Sequence, residues 1–234
     1  MDPSELRFFQ TGPHACGYLA EKQARNVFVD PQQELNASVF SFLSSHGFRR
    51  SGAHVYKPRC QSCQACQPLR VLVDDFVANR SQRRCLKRNH DLRPFLLADI
   101  RNEECYSLYE RYINERHSDG DMFPPTFKQF EDFLSSEWGG TRYVGFRDPN
   151  DKLVSVAVVD CLHNALSAMY SFFDPAESKR SLGVFNILYQ ILWAKDLGLA
   201  HLYLGYLIEG CDKMSYKSNY APYQLLKGDQ WVTV

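Results

Sequence analysis

Arg142-Tyr-Val-Gly-Phe-Arg147, Leu153-Val-Ser-Val-Ala-Val-Val-Asp-Cys-Leu162 and Ala165-Leu-Ser-Ala-Met-Tyr-Ser-Phe-Phe173 are three apolar-rich runs, parted by Asp148-Pro149-Asn150-Asp151 and His163-Asn164. Runs of this length, rich in Val, Phe and Tyr and closed by turn-forming residues, predict an antiparallel three-stranded meander. Ser181 then opens a strongly amphipathic helix, with Leu182, Phe185, Leu188, Ile191 and Leu192 on one face and Gly198 as its stop. The apolar run at 201–206 predicts one more strand. Upstream, Asp30-Pro31 predicts a helix start, an acid at the N-cap and a proline at the first helical position. Leu35, Val39, Phe42 and Leu43 give that helix an apolar face, and Gly47 ends it. Val55-Tyr56 and Leu69-Arg70-Val71-Leu72-Val73 read as strands flanking a cysteine loop. Further helices are predicted at about 80–90, at about 102–116 (Cys105, Leu108, Tyr109, Tyr112 and Ile113 on one side), and around Phe127, Phe130, Phe133 and Leu134 after Pro124-Pro125.

Three antiparallel strands, a helix and a further strand follow the core order of the GNAT acyltransferase fold. The chain is therefore expected to be α+β, a GNAT-like core preceded by a smaller cysteine-containing domain, with the boundary near residue 98 (1–98 and 99–234). Fold order alone does not fix function. An apolar content of 44% over 234 residues excludes disorder. No apolar run approaches the roughly 18 residues of a membrane span. Met1-Asp2-Pro3-Ser4-Glu5 is acidic, with no hydrophobic stretch behind it, so the expectation is a cytoplasmic protein without a signal peptide. Eight cysteines in that setting point to thiols, metal or packing rather than a disulfide framework.

A formal net charge of zero hides a dipolar distribution. Residues 49–93 hold eleven Lys and Arg against only Asp74, Asp75 and Asp91, a net +8 balanced by −8 elsewhere. Within them Arg80, Arg83, Arg84, Lys87 and Arg88 fall at i, i+3, i+4, i+7 and i+8, which sets five cations on one helical face. Like charges at that spacing repel, so the stripe suits a polyanion such as RNA, whose phosphates release counterions on binding. The alternative is a solvated face. In Cys60-Gln-Ser-Cys63-Gln-Ala-Cys66, three cysteines spaced by two suit a zinc or iron–sulfur centre. Cys16 is the first candidate for a fourth ligand, with His54 or Cys85 behind it; the alternative is three reduced thiols in a tight turn.

After His201-Leu-Tyr-Leu204 comes Gly205-Tyr-Leu-Ile-Glu-Gly-Cys-Asp-Lys-Met-Ser-Tyr-Lys-Ser-Asn-Tyr220, dense in Tyr, Lys and Cys. Large amphipathic side chains at a strand end suit a ligand pocket. Asp174-Pro175, at another strand end, is either a turn starter or a functional acid. His163-Asn164 reads as a hairpin turn and His117 as polar helix-end material.

Cys211-x-Lys213-Met214-x-Tyr216-Lys217 after Gly205-Tyr206 resembles the C-terminal signature of the aminoacyl-tRNA–protein transferases. Gly47-Phe48-Arg49-Arg50-Ser51-Gly52 with Val55-Tyr56-Lys57-Pro58, Cys66-x-Pro68-Leu69-Arg70, Ser81-x-x-Arg84, Phe173-Asp174-Pro175 and Ser181-Leu182-Gly183 continue the resemblance over about residues 14–231. It implies transfer of an amino acid from aminoacyl-tRNA to the N-terminal α-amine of proteins beginning with Asp or Glu, without a cofactor, marking them for N-end rule degradation. Length, and Leu19 where eukaryotic members carry a second N-terminal cysteine, place the chain with the short bacterial branch, whose donor is leucyl-tRNA. An arginyl-tRNA donor is the alternative. The resemblance makes Asp174, Tyr206 and Tyr216 the catalytic candidates, Lys213, Lys217 and Arg180 the readers of the acidic acceptor, and the helical cations the tRNA contacts. Eukaryotic members are thought to bind metal or an iron–sulfur centre through cysteines, which implies a ligand set of Cys16, Cys60, Cys63 and Cys66 here. An acyl-CoA N-acetyltransferase would share the fold. Such enzymes carry Arg/Gln-x-x-Gly-x-Gly/Ala, whose amides hold a pyrophosphate; Arg180-Ser-Leu-Gly183-Val-Phe185 has a ring at the last small position, which either blocks the phosphates or turns into the core. A non-catalytic RNA-binding or metal-sensing module leaves the Lys-Met-x-Tyr-Lys segment unexplained.

Overall fold

The computed structural model describes residues 5–136 and 138–234; residues 1–4, read above for a leader, lie outside the described residues. The first part of the chain forms β1 (Phe8–Gln10), β2 (His14–Ala15), β3 (Gln23–Ala24), β4 (Asn26–Val29), α1 (Ala37–Ser45), β5 (Arg49–Ser51) and β6 (His54–Pro58). β1, β4, β6 and β5 make a small antiparallel sheet, and β2 pairs with β3 beside it. Helix α1 does not start at Asp30-Pro31. Asn36 caps it, accepting from the Val39 amide at 2.9 Å. Asp30 instead accepts from the Gln32 amide in a turn and pairs with Arg7, since a short acid caps a turn as readily as a helix. Val39, Phe40 and Leu43 face inward and Phe42 is outside. Gly47 ends the helix with φ +85°, and a Cβ there would meet Pro68 Cγ at 2.7 Å.

The remaining elements are β7 (Cys66–Leu72), α2 (Arg80–Arg88), β8 (Arg93–Leu97), α3 (Glu103–Arg116), α4 (Phe127–Leu134), β9 (Thr141–Arg147), β10 (Leu153–Leu162), β11 (Ala165–Phe173), α5 (Leu182–Asp196), β12 (His201–Ile208), α6 (Asp212–Ser215), β13 (Tyr223–Lys227) and β14 (Gln230–Thr233). Eight strands form one sheet, ordered β14-β13-β7-β12-β11-β10-β9-β8. The expected meander is β9-β10-β11, and β12 returns parallel to β11 after α5. The fold is α+β with a GNAT-like core.

Helices cover both faces of the meander. α5 brings Leu182, Leu188 and Ile191 onto Val144, Ala157, Val159 and Leu166. On the other face α3 and α4 bring Leu108, Tyr109, Ile113, Phe130 and Leu134 onto Val156, Val158 and Phe172. A strand buried on both faces reads as a continuous apolar run, which is why Leu153–Leu162 stands out in the sequence. Leu192, expected inward, is exposed; the buried face of α5 is turned toward Asn186, whose Nδ2 donates to Ser155 Oγ at 2.8 Å, and Gln190.

The expected boundary at residue 98 runs through this sheet. β7 and β8 both precede it, and β7 lies between β12 and β13. β5 also ties the small sheet to the large one, because neighbouring side chains on a strand point to opposite faces. Arg50 donates from Nε to both carboxylate oxygens of Asp160 on β10, at 2.9 and 2.8 Å, with both side chains buried. Arg49 reaches β11.

Candidate active site

β11 and β12 pair only where Ala165–Ser167 faces His201–Tyr203. Beyond that level both strands are irregular. The β10–β11 register steps from Val159↔Ala168 to Val158↔Tyr170, leaving Met169 without a partner, and β12 slips against β7 between Tyr203 and Gly205. Bulges bend strands and re-aim side chains, and here they coincide with a split in the middle of the sheet.

Arg49 enters that split. Its Nη1 donates to Ser167 Oγ at 2.7 Å and its Nη2 to the Ala168 carbonyl at 2.6 Å, so the guanidinium serves an acceptor on the part of β11 that β12 no longer faces. Gly205, φ +80°, lies on the other side; a Cβ there would stand 3.3 Å from Arg49 Nε. In the sequence Arg49 is legible only as a charge and as part of the Gly47–Gly52 motif. Its signal was the Arg49-Arg50 pair itself, two long cations on opposite faces of one short strand.

The segment after β12 folds over the split. Lys217 is 6% exposed. Its Nζ donates to the Tyr206 carbonyl at 2.6 Å and lies 3.1 Å from Met214 Sδ. Burial, reinforced by the Arg49 charge, lowers its pKa to about 7. Among the described residues no carboxylate stands within 4 Å of Arg49 or Lys217. The ring of Tyr216 lies 5.8 Å from Lys217 Nζ while the residue stays 45% exposed; desolvation at its hydroxyl raises the pKa and the Arg49 charge opposes the shift. Tyr206 keeps only its carbonyl here. Its hydroxyl donates to the Gly47 carbonyl at 2.8 Å, and burial holds its pKa well above the ordinary phenol. From α3, Tyr112 packs on Phe173 at 4.9 Å between ring centroids and approaches Tyr170.

The other expected residues are engaged by partners of their own. Asp174 is buried as the cap of a 3-10 turn at Pro175–Arg180. It accepts from the Ala176 amide at 3.0 Å and pairs with Lys152 at 2.6 Å and Arg111 at 3.7 Å. Burial would raise its pKa, but the Lys152 hydrogen bond, the Ala176 amide and the Arg111 charge outweigh it and keep the acid ionised. Arg180 forks onto both oxygens of Asp91 at 2.8 and 2.9 Å and donates to Glu177 at 2.9 Å. Lys213 sits in an exposed pair with Asp119. Phe185 turns into the core against Phe146, so it does not block the start of α5.

Helix α2 presents Arg80, Arg83, Arg84, Lys87 and Arg88 on one exposed face, and none of the five has a carboxylate within 4 Å among the described residues. An Asn79–Gln82 capping box starts the helix. Its buried side is polar. Gln82 Nε2 donates to the Asn219 carbonyl at 2.9 Å and Asn89 Nδ2 to the Arg180 carbonyl at 2.8 Å. These bonds fix the helix to the segment that carries Lys217 and to the start of α5.

All eight cysteines are free thiols. Cys16, Cys60, Cys63 and Cys66 line one cavity of about 880 Å³, and His54 lines a neighbouring cavity with Cys16, Cys60 and Cys66. Burial and the nearby thiols push Cys66 up to about 11. Among the described residues no three His, Cys, Asp or Glu side chains gather as a metal-holding group. The four cysteines of the expected ligand set share the wall of that cavity without closing into one group in this arrangement. Cys85 is engaged elsewhere, its thiol 3.7 and 3.6 Å from the Arg180 and Ser181 carbonyls.

Family models described as "Arginine-tRNA-protein transferase, N terminus" and "C terminus" match residues 14–84 and 104–227. The chain belongs to this family. Aspartate/glutamate leucyltransferase of Teredinibacter turnerae is 56% identical over 231 residues, 99% of this chain and 95% of that one. The protein of the same name from Saccharophagus degradans is 49% identical over 232 residues, 99% and 98%. Like its family, the protein is a transferase. Its fold, at 10% identity and a TM-score of 0.50, is also that of FemX, covering 80% of this chain and 65% of that chain. No described helix is long and apolar enough to cross a membrane.

Proposed function

We propose that the protein transfers leucine from leucyl-tRNA to the N-terminal α-amine of cytoplasmic proteins that begin with Asp or Glu, marking them for N-end rule degradation. The observation that carries this reading is the presence of two unlike cationic surfaces, neither paired with acid, fixed to each other through Gln82 and Asn219. An exposed row of cations suits a long polyanion that releases counterions; enclosed cations suit one small anion. Arg80, Arg83, Arg84, Lys87 and Arg88 hold the tRNA backbone. The relatives' names support leucine over arginine as the amino acid.

The chemistry asked of the site is modest. The ester is already activated, and an α-amine with a pKa of ~8 keeps a useful neutral fraction at pH 7. Its nitrogen attacks the ester carbonyl, the tetrahedral intermediate expels the ribose oxygen, and the amine's proton ends on that oxygen. Holding amine and carbonyl in contact supplies the main rate gain. No thiol nucleophile is needed. Tyr216 forms a wall of the site, while Tyr206 supplies a carbonyl to Lys217 rather than a proton to the reaction.

Mass spectrometry of an Asp-initiated peptide incubated with the protein and leucyl-tRNA tests the reading. Fragment ions should carry one leucine on the α-amine, and the N-acetylated peptide should stay unmodified. Leucine on a side chain, or arginine in its place from a mixed donor pool, would overturn it.

A further inference from the structure

We infer that Arg49 and Lys217 together form the seat for the side-chain carboxylate of the acceptor's first residue, with Arg49 selecting acid over amide. The inference rests on the acceptor class proposed above and adds the residues that would impose it.

The seat is built rather than incidental. Arg49 is anchored by Ser167 Oγ and the Ala168 carbonyl, and Lys217 by the Tyr206 carbonyl. A guanidinium carries five N–H donors in a fixed fork, and an ammonium three, so both keep donors for a ligand. Gly205 contributes by having no side chain, since even one carbon would press on Arg49 Nε. Burial beside Arg49 disfavours the charged form of Lys217 in the free protein, and a bound carboxylate would restore that charge and satisfy both groups with charge-assisted bonds. The other buried cation among the described residues, Arg50, does have its acid in Asp160. The two cations at the split lack one.

An anionic oxygen group could also come from a phosphate near the tRNA end. Enclosure favours the acceptor. Lys217 is almost fully covered, which admits the tip of one short side chain more readily than a phosphodiester flanked by two riboses. The backbone phosphates have the five exposed cations of α2. Asn and Gln match Asp and Glu in shape and lack only the charge, so the seat should discriminate within those pairs.

The test compares kcat/KM for Asp-, Asn-, Glu- and Gln-initiated peptides in the wild type, Arg49→Lys, Arg49→Met and Lys217→Met, with leucyl-tRNA affinity measured on each by filter binding. Removing one partner of an enclosed charge pair should lower the acid-over-amide ratio by about two orders of magnitude. Arg49→Lys keeps the charge but loses the fork, and should fall between wild type and Arg49→Met. Leucyl-tRNA affinity should not change. An unchanged ratio in Arg49→Lys and Lys217→Met overturns the seat, and so does lost tRNA affinity with the ratio intact, which would identify a phosphate contact. If Arg49→Met does not fold, the other two variants decide. Calorimetric binding of the same peptides separates this from the proposed function. A wild type that binds Asp over Asn peptides through Arg49 yet transfers no leucine keeps the seat and rejects the donor.

Discussion

Asp160→Ala should be among the most damaging single substitutions in the chain, although Asp160 is not in the active site. The carboxylate is 1% exposed and accepts two bonds from Arg50 Nε and one from Thr141 Oγ1 at 2.8 Å. Arg50 keeps only long bonds from Nη1 to the Gly52 carbonyl and from Nη2 to Thr141 Oγ1, both 3.3 Å. Removing the acid leaves a buried guanidinium without its counter-ion, at a cost of roughly 3–5 kcal/mol. That is a large part of the 5–15 kcal/mol typical of a domain. For a protein of this size it corresponds to a fall in Tm of about 6–20 °C. The pair also joins the small sheet to β10, so wild-type urea unfolding should be one transition reported together by Trp138, at the edge of the small-sheet cluster, and Trp193, packed on the main core. In Arg50→Met/Asp160→Leu both charges go, and most of the stability should return. A loss under about 1 kcal/mol in Asp160→Ala, or two separate wild-type transitions, would refute this account of how the units are joined.

Changing Arg83, Arg84 and Lys87 to Gln should weaken leucyl-tRNA binding and flatten its salt dependence by roughly one counterion per lost contact, with acceptor-peptide affinity unchanged; binding that survives at every salt concentration would reduce the stripe to a solvated face. Lys217, with a native pKa of about 7 against about 10.4 unfolded, binds fewer protons in the native than in the unfolded chain between those values. Stability should therefore rise with pH from 7 toward 10, by up to about 1.4 kcal/mol per unit from this group, and Lys217→Met should remove that slope in pH-dependent urea unfolding. Cys63→Ala should keep leucine transfer while changing stability, because direct aminolysis uses no thiol; loss of transfer at unchanged stability would contradict that.

The parts of the fold legible in the sequence are those whose cause is local. β10 is apolar throughout because both faces are covered, and the five cations of α2 repeat at helical spacing because their opposite face, Gln82, Cys85 and Asn89, is the one that docks. β7 could be read as a strand, but its place between β12 and β13 depends on partners far along the chain. Asp30-Pro31 misplaced a helix start because the same acid caps a turn. The site divides in the same way. The segment that carries Tyr216 and Lys217 stands out by the density of amphipathic residues after β12, and the resemblance implies roles for those two residues. Arg49 does not stand out, because its role follows from a split between two strands more than a hundred residues downstream. Arg180 was read as a free cation because nothing in its neighbourhood of sequence announces Asp91 as its partner.

The central claim is the donor and acceptor of the transfer. It is tested most directly by charging tRNA separately with radiolabelled leucine and arginine and presenting each to the purified protein with peptides that begin with Asp, Glu, Arg or Ala. The account predicts label from leucyl-tRNA on the Asp and Glu peptides, little from arginyl-tRNA, and none on the Arg and Ala peptides. Efficient arginine transfer without leucine transfer, or equal labelling of all four peptides, would contradict it.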